Sequence, residues 1–273
     1  MPEPILRYVD VSLSFEGVPA LRNVSFEVLP GHTRMIFGAA GSGKSVLLKT
    51  ASGLLKPDSG SIYLFGQDIT QMDEEELFTI RGKVGVLFQE GGLFDSLTVE
   101  ENVAYPVLNS KVVQGRKIDP ESVHARVREA LTFVELEHTL DKFPSELSGG
   151  MRRRVGIARA TVTQPPLLLY DSPTAGLDPI TANTIIALII KARDTRNSTS
   201  LIVSHRHQDG HLMANFRYNP QDGGLTKAAE GSGVHENTRF MVFREGQLVF
   251  EGTEEDLDAA DDPYVSKFKA VKS

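Results

Sequence analysis

A mostly parallel α/β sheet core with a helical insertion is predicted by three observations. Strand-like runs alternate with helical ones towards both ends of the chain. A glycine-rich loop, GAAGSGKS (residues 38–45), joins a strand to a helix. Between about residues 89 and 165, helical spacing displaces that alternation. The 273 residues have the length of one large α/β domain or two small ones, and they are read as one domain, 1–273.

Residues 5–37 alternate as strands do: ILRYVDVSLSF, ALRNVSFEV, then TRMIF after the Pro30-Gly31 turn. SVLLKTASG (45–53) shifts to helical spacing, and SGSIYLFG (59–66) returns to strand. DEEELFTIR (73–81) reads as a short surface helix whose acidic start suits a helix N-terminus. KVGVLF (83–88) is a strand ending at Gln89. In the helical subdomain (about 89–165), Thr98 with Glu101 makes a capping box, and Asp119-Pro120 an N-cap and N1 pair. After Pro165-Pro166 the alternation resumes with LLLYD, ITANTIIALIIKAR and SLIVSH. Residues 206–238, with QDGGL and EGSGVHEN, are polar and long for a connection, and are read as an unusual surface excursion. MVFREGQLVFEG (241–252) reads as a hairpin turning at Glu245-Gly246, and 253–273 as a C-terminal tail.

Composition narrows the function. The 40% hydrophobic content allows a sizeable core. A net charge of −7 and a pI near 5.6 argue against a general nucleic-acid binder, whose surface is usually basic. Cysteine is absent, which fits a reducing compartment. MPEPILRYVD has neither the basic region nor the apolar core of a signal peptide. The apolar run TIIALII (184–190) falls far short of the ~18–20 residues of a membrane span. A soluble chain is expected, with any membrane role supplied through a partner.

GAAGSGKS matches G-x-x-x-x-G-K-[ST] without a gap, in the strand–loop–helix setting the motif needs. Gly38, Ala39, Ala40, Gly41, Ser42 and Gly43 can wind so that backbone N–H groups point at phosphate oxygens. The helix start at Lys44, Ser45 and Val46 adds a favourable partial charge. Lys44, read as a solvated charge in the empty site, reaches the β/γ-phosphates, and Ser45 offers a hydroxyl to Mg²⁺. Asp171, at the end of PLLLYD, is placed to hold Mg²⁺ through its water shell. LSGGM (147–151) precedes the helix RRRVGIARATV. There Ser148 is a plausible N-cap, and Gly149 and Gly150 bare their N–H groups at a second anion-binding helix start.

On these motifs and their order, the chain resembles the ATP-binding subunit of ABC (ATP-binding cassette) transporters over about residues 5–258. The resemblance implies a P-loop ATPase fold with an antiparallel β subdomain and a helical subdomain. It implies ATP and Mg²⁺ as cofactors, and ATP hydrolysis coupled to transport. Phe15, ahead of Tyr8, matches the aromatic that stacks on adenine. Gln89 matches the glutamine that touches Mg²⁺ and senses the membrane subunit. AGLD (175–178), with Asp178, matches the loop that crosses a dimer interface, and His205 the histidine facing the γ-phosphate. In that family two chains pair head to tail, and Ser148, Gly149 and Gly150 would hold ATP bound to the partner's cradle. The implied partners are a second copy of the chain and integral membrane permease subunits, with no nucleic acid. The implied location is cytoplasmic, peripheral on the inner membrane.

A finer resemblance lies in FQEGGLFDSLTVEENVAYPV (88–107), DPITAN (178–183) and DDPYVSKF (261–268). These segments look like the ATPase of Mla/MCE-type lipid transporters, which implies an MCE-type substrate-binding protein as a further partner.

Ser172 departs from the family, which usually carries Glu there to polarise the attacking water. A serine hydroxyl is no base near neutral pH and can only orient water. Three readings stand: a slow ATPase that relies on His205 and positioning, a degenerate ATP switch, and a residue engineered to trap ATP. The first is favoured, because the rest of the site is intact. His205, His207 and His211 have a spacing that could suggest zinc, but no cysteine accompanies them. Arg152, Arg153 and Arg154 face different ways on a helix and are read as structural or interface residues. A soluble ABC ATPase of DNA repair or translation is the alternative class. Such proteins carry a long coiled-coil insertion or two cassettes, and this chain shows neither.

Overall fold

The computed structural model describes residues 2–88, 91–109, 119–229 and 231–269. A hairpin of β1 (Leu6–Phe15) and β2 (Val18–Val28) precedes β3 (Thr33–Gly38), which leads through the glycine-rich loop into α1 (Lys44–Ala51). β4 (Ser59–Leu64), β5 (Gln67–Asp68), α2 (Glu74–Arg81) and β6 (Val84–Leu87) follow. The helical stretch contains α3 (Val99–Leu108), α4 (Pro120–Phe133) and α5 (Gly149–Thr161). β7 (Leu167–Asp171), α6 (Pro179–Arg196), β8 (Thr199–Val203) and α7 (His207–Asn215) restore the alternation. The hairpin β9 (Phe216–Tyr218) and β10 (Leu225–Lys227) and the short α8 (Val234–Asn237) lead to β11 (Thr238–Arg244), β12 (Gln247–Gly252) and α9 (Glu254–Ala259).

The predicted architecture is present. β11, β3, β8, β7 and β6 form a parallel sheet in that order, with β12 antiparallel at its edge. A second sheet, β2-β1-β4-β5, is wholly antiparallel. Every residue of β3 and β8 is buried, as in parallel strands covered on both faces. β1 instead buries alternate residues, Leu6 and Tyr8, and then changes phase to Val11 and Leu13. The change falls where the pairing register shifts and Asp10 adopts a φ of 49°. A bulge is the cause: one extra residue turns the rest of the strand over.

The sequence's capping signals are found in place. Thr98 and Glu101 bond reciprocally at the start of α3, and Asp119 caps α4 with Pro120 in its first turn. The described residues of the 206–238 stretch hold more regular structure than their polarity suggests. α7 buries Leu212, Met213 and Ala214, and the β9–β10 hairpin follows at once. Glu245 and Gly246, both at positive φ, turn the β11–β12 hairpin as expected. Among the described residues, no helix is long and apolar enough to cross a membrane.

Candidate functional site

The carboxyl ends of β3, β7 and β8 lie side by side, since Ile36 and Asp171 both register with Val203. The segments leaving these strands therefore converge at the sheet edge where ligands of open α/β folds bind. They enclose a pocket of about 290 Å³ lined by Ala20, residues 40–46, Asp171, Ser172, Ala175, Val203 and His205. Gly38 and Ala39, expected in the phosphate cradle, are not on its wall, and the Ala39 N–H donates instead to the Tyr264 hydroxyl (3.0 Å).

Two glycines have steric reasons to be there. Gly43, the N-cap of α1, has φ 102°, and a Cβ on it would stand 2.3 Å from the Ala20 carbonyl. A Cβ on Gly38 would stand 2.5 Å from the Phe243 carbonyl. Any side chain would push the loop out of its turn.

Lys44 corrects one expectation. Far from being solvated, it is only 6% exposed. Its Nζ donates to the carbonyls of Gly38 (2.8 Å) and Ala39 (2.7 Å) and to Ser42 Oγ (3.3 Å). The loop folds over the ammonium and uses its own carbonyls as acceptors. Burial lowers its pKa, and the neighbouring Asp171 carboxylate partly opposes that fall. The His205 imidazole is also held below its ordinary value, by burial first and then by Lys44, against Asp171. The ring is therefore neutral at neutral pH and can exchange one hydrogen bond with a phosphate oxygen.

Ser172 is 7% exposed and sits at a φ of 51°, a strained value for a residue with a side chain. Its N–H donates to the Val203 carbonyl (3.1 Å) and its Oγ to Asp171 Oδ1 (3.3 Å). Ser45 supplies a hydroxyl and Asp171 a carboxylate on the same pocket wall. This all-oxygen set suits a hard ion such as Mg²⁺.

The sequence reading missed the group beneath this wall. Asp209 is fully buried, and its Oδ2 accepts from Thr174 Oγ1 and from Ser204 Oγ, both at 2.6 Å. It thus ties the turn after Ser172 to the residue before His205. Its position among the histidines was visible in the sequence, but nothing there marked it as buried.

Burial holds the Asp209 carboxyl above the ordinary aspartate range, against its two hydrogen bonds and Arg206. The folded chain then binds this proton more tightly than the unfolded one. Its contribution to stability is full below the ordinary carboxyl pKa and is lost as pH rises through the raised native value. Asp209→Asn is therefore expected to show a flatter fall in unfolding free energy over that pH range. Urea unfolding at several pH values checks this, and parallel curves for both proteins would count against it.

The remaining candidates are more scattered. Phe15 ends β1 and is 46% exposed, while Tyr8 is buried with its hydroxyl donating to the Leu47 carbonyl. Only Phe15 of the two offers a face to a ligand. Asp178 caps α6, accepting from the N–H groups of Ile180 and Thr181. Gln89 lies outside the described residues. His207 and His211 face Glu254, with His211 Nδ1 at 3.0 Å and His207 Nε2 at 3.7 Å. Among the described residues, no cluster of three or more His, Cys, Asp or Glu could hold a metal ion.

Ser148 caps α5, accepting from the Met151 N–H (3.2 Å). Gly149 lines a separate groove of about 600 Å³ with Arg152, Ala175, Gly176 and Leu177. The three arginines are backbone anchors: Arg152 donates to Leu147 O, Arg153 to Ala175 O and Arg154 to Val134 O.

A glycine-rich loop opening a helix, with a strand-end carboxylate and histidine beside it, defines a nucleotide-binding protein of the P-loop class. The chain belongs to the ABC transporter family, whose profile matches residues 21–175. It is similar to the methionine import ATP-binding protein MetN of Rhizobium etli, with 38% identity over 203 residues, 74% of this chain and 55% of that protein. It is also similar to the "Probable ribonucleotide transport ATP-binding protein mkl" of Mycobacterium leprae, with 34% identity over 255 residues, 93% of this chain and 65% of that one. The chain thus spans about half the length of MetN. Among solved structures it resembles the ATP-binding cassette MJ0796, a dimer in a post-hydrolysis state bound to ADP and Pi. The TM-score is 0.76 at 28% identity, covering 91% of this chain and 98% of that one. A nucleotide-free cassette from an ABC transporter matches at TM-score 0.74 and 28% identity, over 97% of this chain and 98% of that one.

Proposed function

We propose that this chain binds and hydrolyses MgATP as the motor subunit of a membrane transporter, working as a dimer on permease subunits at the cytoplasmic face. The observation that carries the reading is the convergence of residues 40–46, Asp171, Ser172 and His205 on one pocket. The loop amides and the start of α1 cradle the phosphates, while Lys44 turns from its own carbonyls to the β/γ oxygens. Ser45 and Asp171 would hold Mg²⁺, which neutralises charge on the phosphates. His205 hydrogen-bonds the γ-phosphate, and Ser172 orients water without deprotonating it. Phosphoryl transfer depends chiefly on such positioning and charge, so a slow reaction survives without a carboxylate base.

The LSGGM helix start and the cradle line different pockets. One phosphate chain meets both kinds of helix start when two chains face each other. Ser148→Arg is expected to abolish ATP-driven dimers while sparing ATP binding by the monomer, because the cation fills the partner's γ-phosphate position. Ser148→Ala, which loses only the cap at about 1 kcal/mol, should still dimerise in part. Light scattering with ATP distinguishes the two, and full dimer formation by Ser148→Arg would contradict the head-to-tail arrangement.

For the cargo, the similarity to MetN favours import of methionine, with ribonucleotide transport next. A lipid cargo and an MCE-type partner rest only on the segments 88–107, 178–183 and 261–268, and neither relative supports them. The function is tested by purifying the tagged full chain from detergent-solubilised membranes. A polytopic membrane protein that co-purifies and raises phosphate release supports it, and its identity decides the cargo. ATPase activity with no membrane partner would favour a soluble ATPase instead.

A further inference from the structure

We propose that Tyr264, in the C-terminal segment, is a positioning residue of the phosphate loop. The inference rests on the nucleotide-site reading above. The Asp262 carboxylate accepts from the N–H groups of Tyr264 (2.7 Å) and Val265 (3.0 Å), starting a 3₁₀ turn at Val265–Phe268. The Tyr264 hydroxyl then donates to the Phe243 carbonyl at the end of β11 (2.9 Å) and accepts from the Ala39 N–H (3.0 Å). Phe243 registers with Gly38 across the β11–β3 pair, so the hydroxyl bridges the two chains where the loop begins.

The Ala39 N–H and the Gly38 carbonyl belong to the same peptide plane. Tyr264 holds one end of that plane, and Lys44 Nζ holds the other at 2.8 Å. Fixing the N–H fixes the direction of the carbonyl, and with it the rest position of the ammonium that must reach the phosphates. The ring is itself held. Phe268 packs edge-on at 5.5 Å and leans on Phe37, in the strand before Gly38, at 6.2 Å. Arg244 and Lys267 place cations over Tyr264 at 5.6 and 5.7 Å. A loop held in its binding shape loses less freedom when the ligand arrives, and so binds more tightly.

Tyr264→Phe removes the hydroxyl and keeps every ring contact. Ala39 is exposed, so water can replace the partner of its N–H, while the carbonyl of the buried Phe243 loses a donor at about 1 kcal/mol, a cost the fold should survive. The expected result, by calorimetric titration of the full chain with MgATP, is binding weaker by about three- to tenfold, the scale of one hydrogen bond. KM for ATP should rise by the same factor with kcat unchanged, the melting temperature should fall by no more than about 2–4 °C, and the Ala39 amide should exchange faster with solvent. Wild-type affinity in the variant, tighter binding, or a loss found only at temperatures where the variant is partly unfolded would each overturn the inference. Failure of the wild-type protein to bind MgATP would instead overturn the nucleotide-site reading on which it depends.

Discussion

Ser172→Glu is expected to raise the steady-state rate of phosphate release. Positioned general-base assistance is typically worth about 10²–10⁴-fold, and a neutral hydroxyl supplies none of it. The structure gives the substitution both an opportunity and an obstacle. Residue 172 lines the same pocket as the cradle and His205, so a longer side chain can reach the region of the attacking water. It is also buried and adjacent to Asp171, with Ser172 Oγ only 3.3 Å from that carboxylate. Two carboxylates so close repel, and the new one would hold its proton until Mg²⁺ or Lys44 offsets the charge. The gain should therefore grow with pH and with Mg²⁺ concentration. It should vanish in a His205→Ala background if the imidazole keeps the γ-phosphate in line. The assay is phosphate release by the purified chain, together with any membrane protein that co-purifies with it. An equal or lower rate at unchanged ATP affinity would mean that another group serves the water.

Lys44→Ala is expected to reduce MgATP affinity below the reach of calorimetry. Each hydrogen bond to a charged group contributes about 1.5–3 kcal/mol, so losing two phosphate contacts costs on the order of 10²–10⁴-fold. The buried position of Lys44 makes the fold question real. Three acceptors, Gly38 O, Ala39 O and Ser42 Oγ, lose their donor together. Removing the ammonium also ends the desolvation that lowers its pKa. These effects oppose each other, and thermal unfolding should shift by only a few degrees. Unchanged titration heats in the variant would remove Lys44 from the nucleotide site.

The sequence was most legible where local chemistry dictates geometry. The strand–loop–helix spacing of GAAGSGKS, the Thr98–Glu101 box and the Ser148 cap are short-range signals, and the structure contains them as written. Contacts between distant segments left no such signal. Lys44 looked solvated because the sequence does not show the loop folding its own carbonyls onto the ammonium. Asp209 looked like one polar residue among several, yet it joins segments 35 residues apart. Tyr264 meets Ala39 across a separation of 225 residues, a contact that no spacing rule reaches. The polar stretch after His205 also misled, because Leu212, Met213 and Ala214 join the buried core that holds Ile189 and Phe240.

The most direct test of the account is steady-state phosphate release from the purified full chain with MgATP, compared with Lys44→Ala under the same conditions. Slow release that saturates with ATP is expected from the wild-type protein, and its loss from the variant. Equal release from the two proteins, or none above background from either, would contradict it.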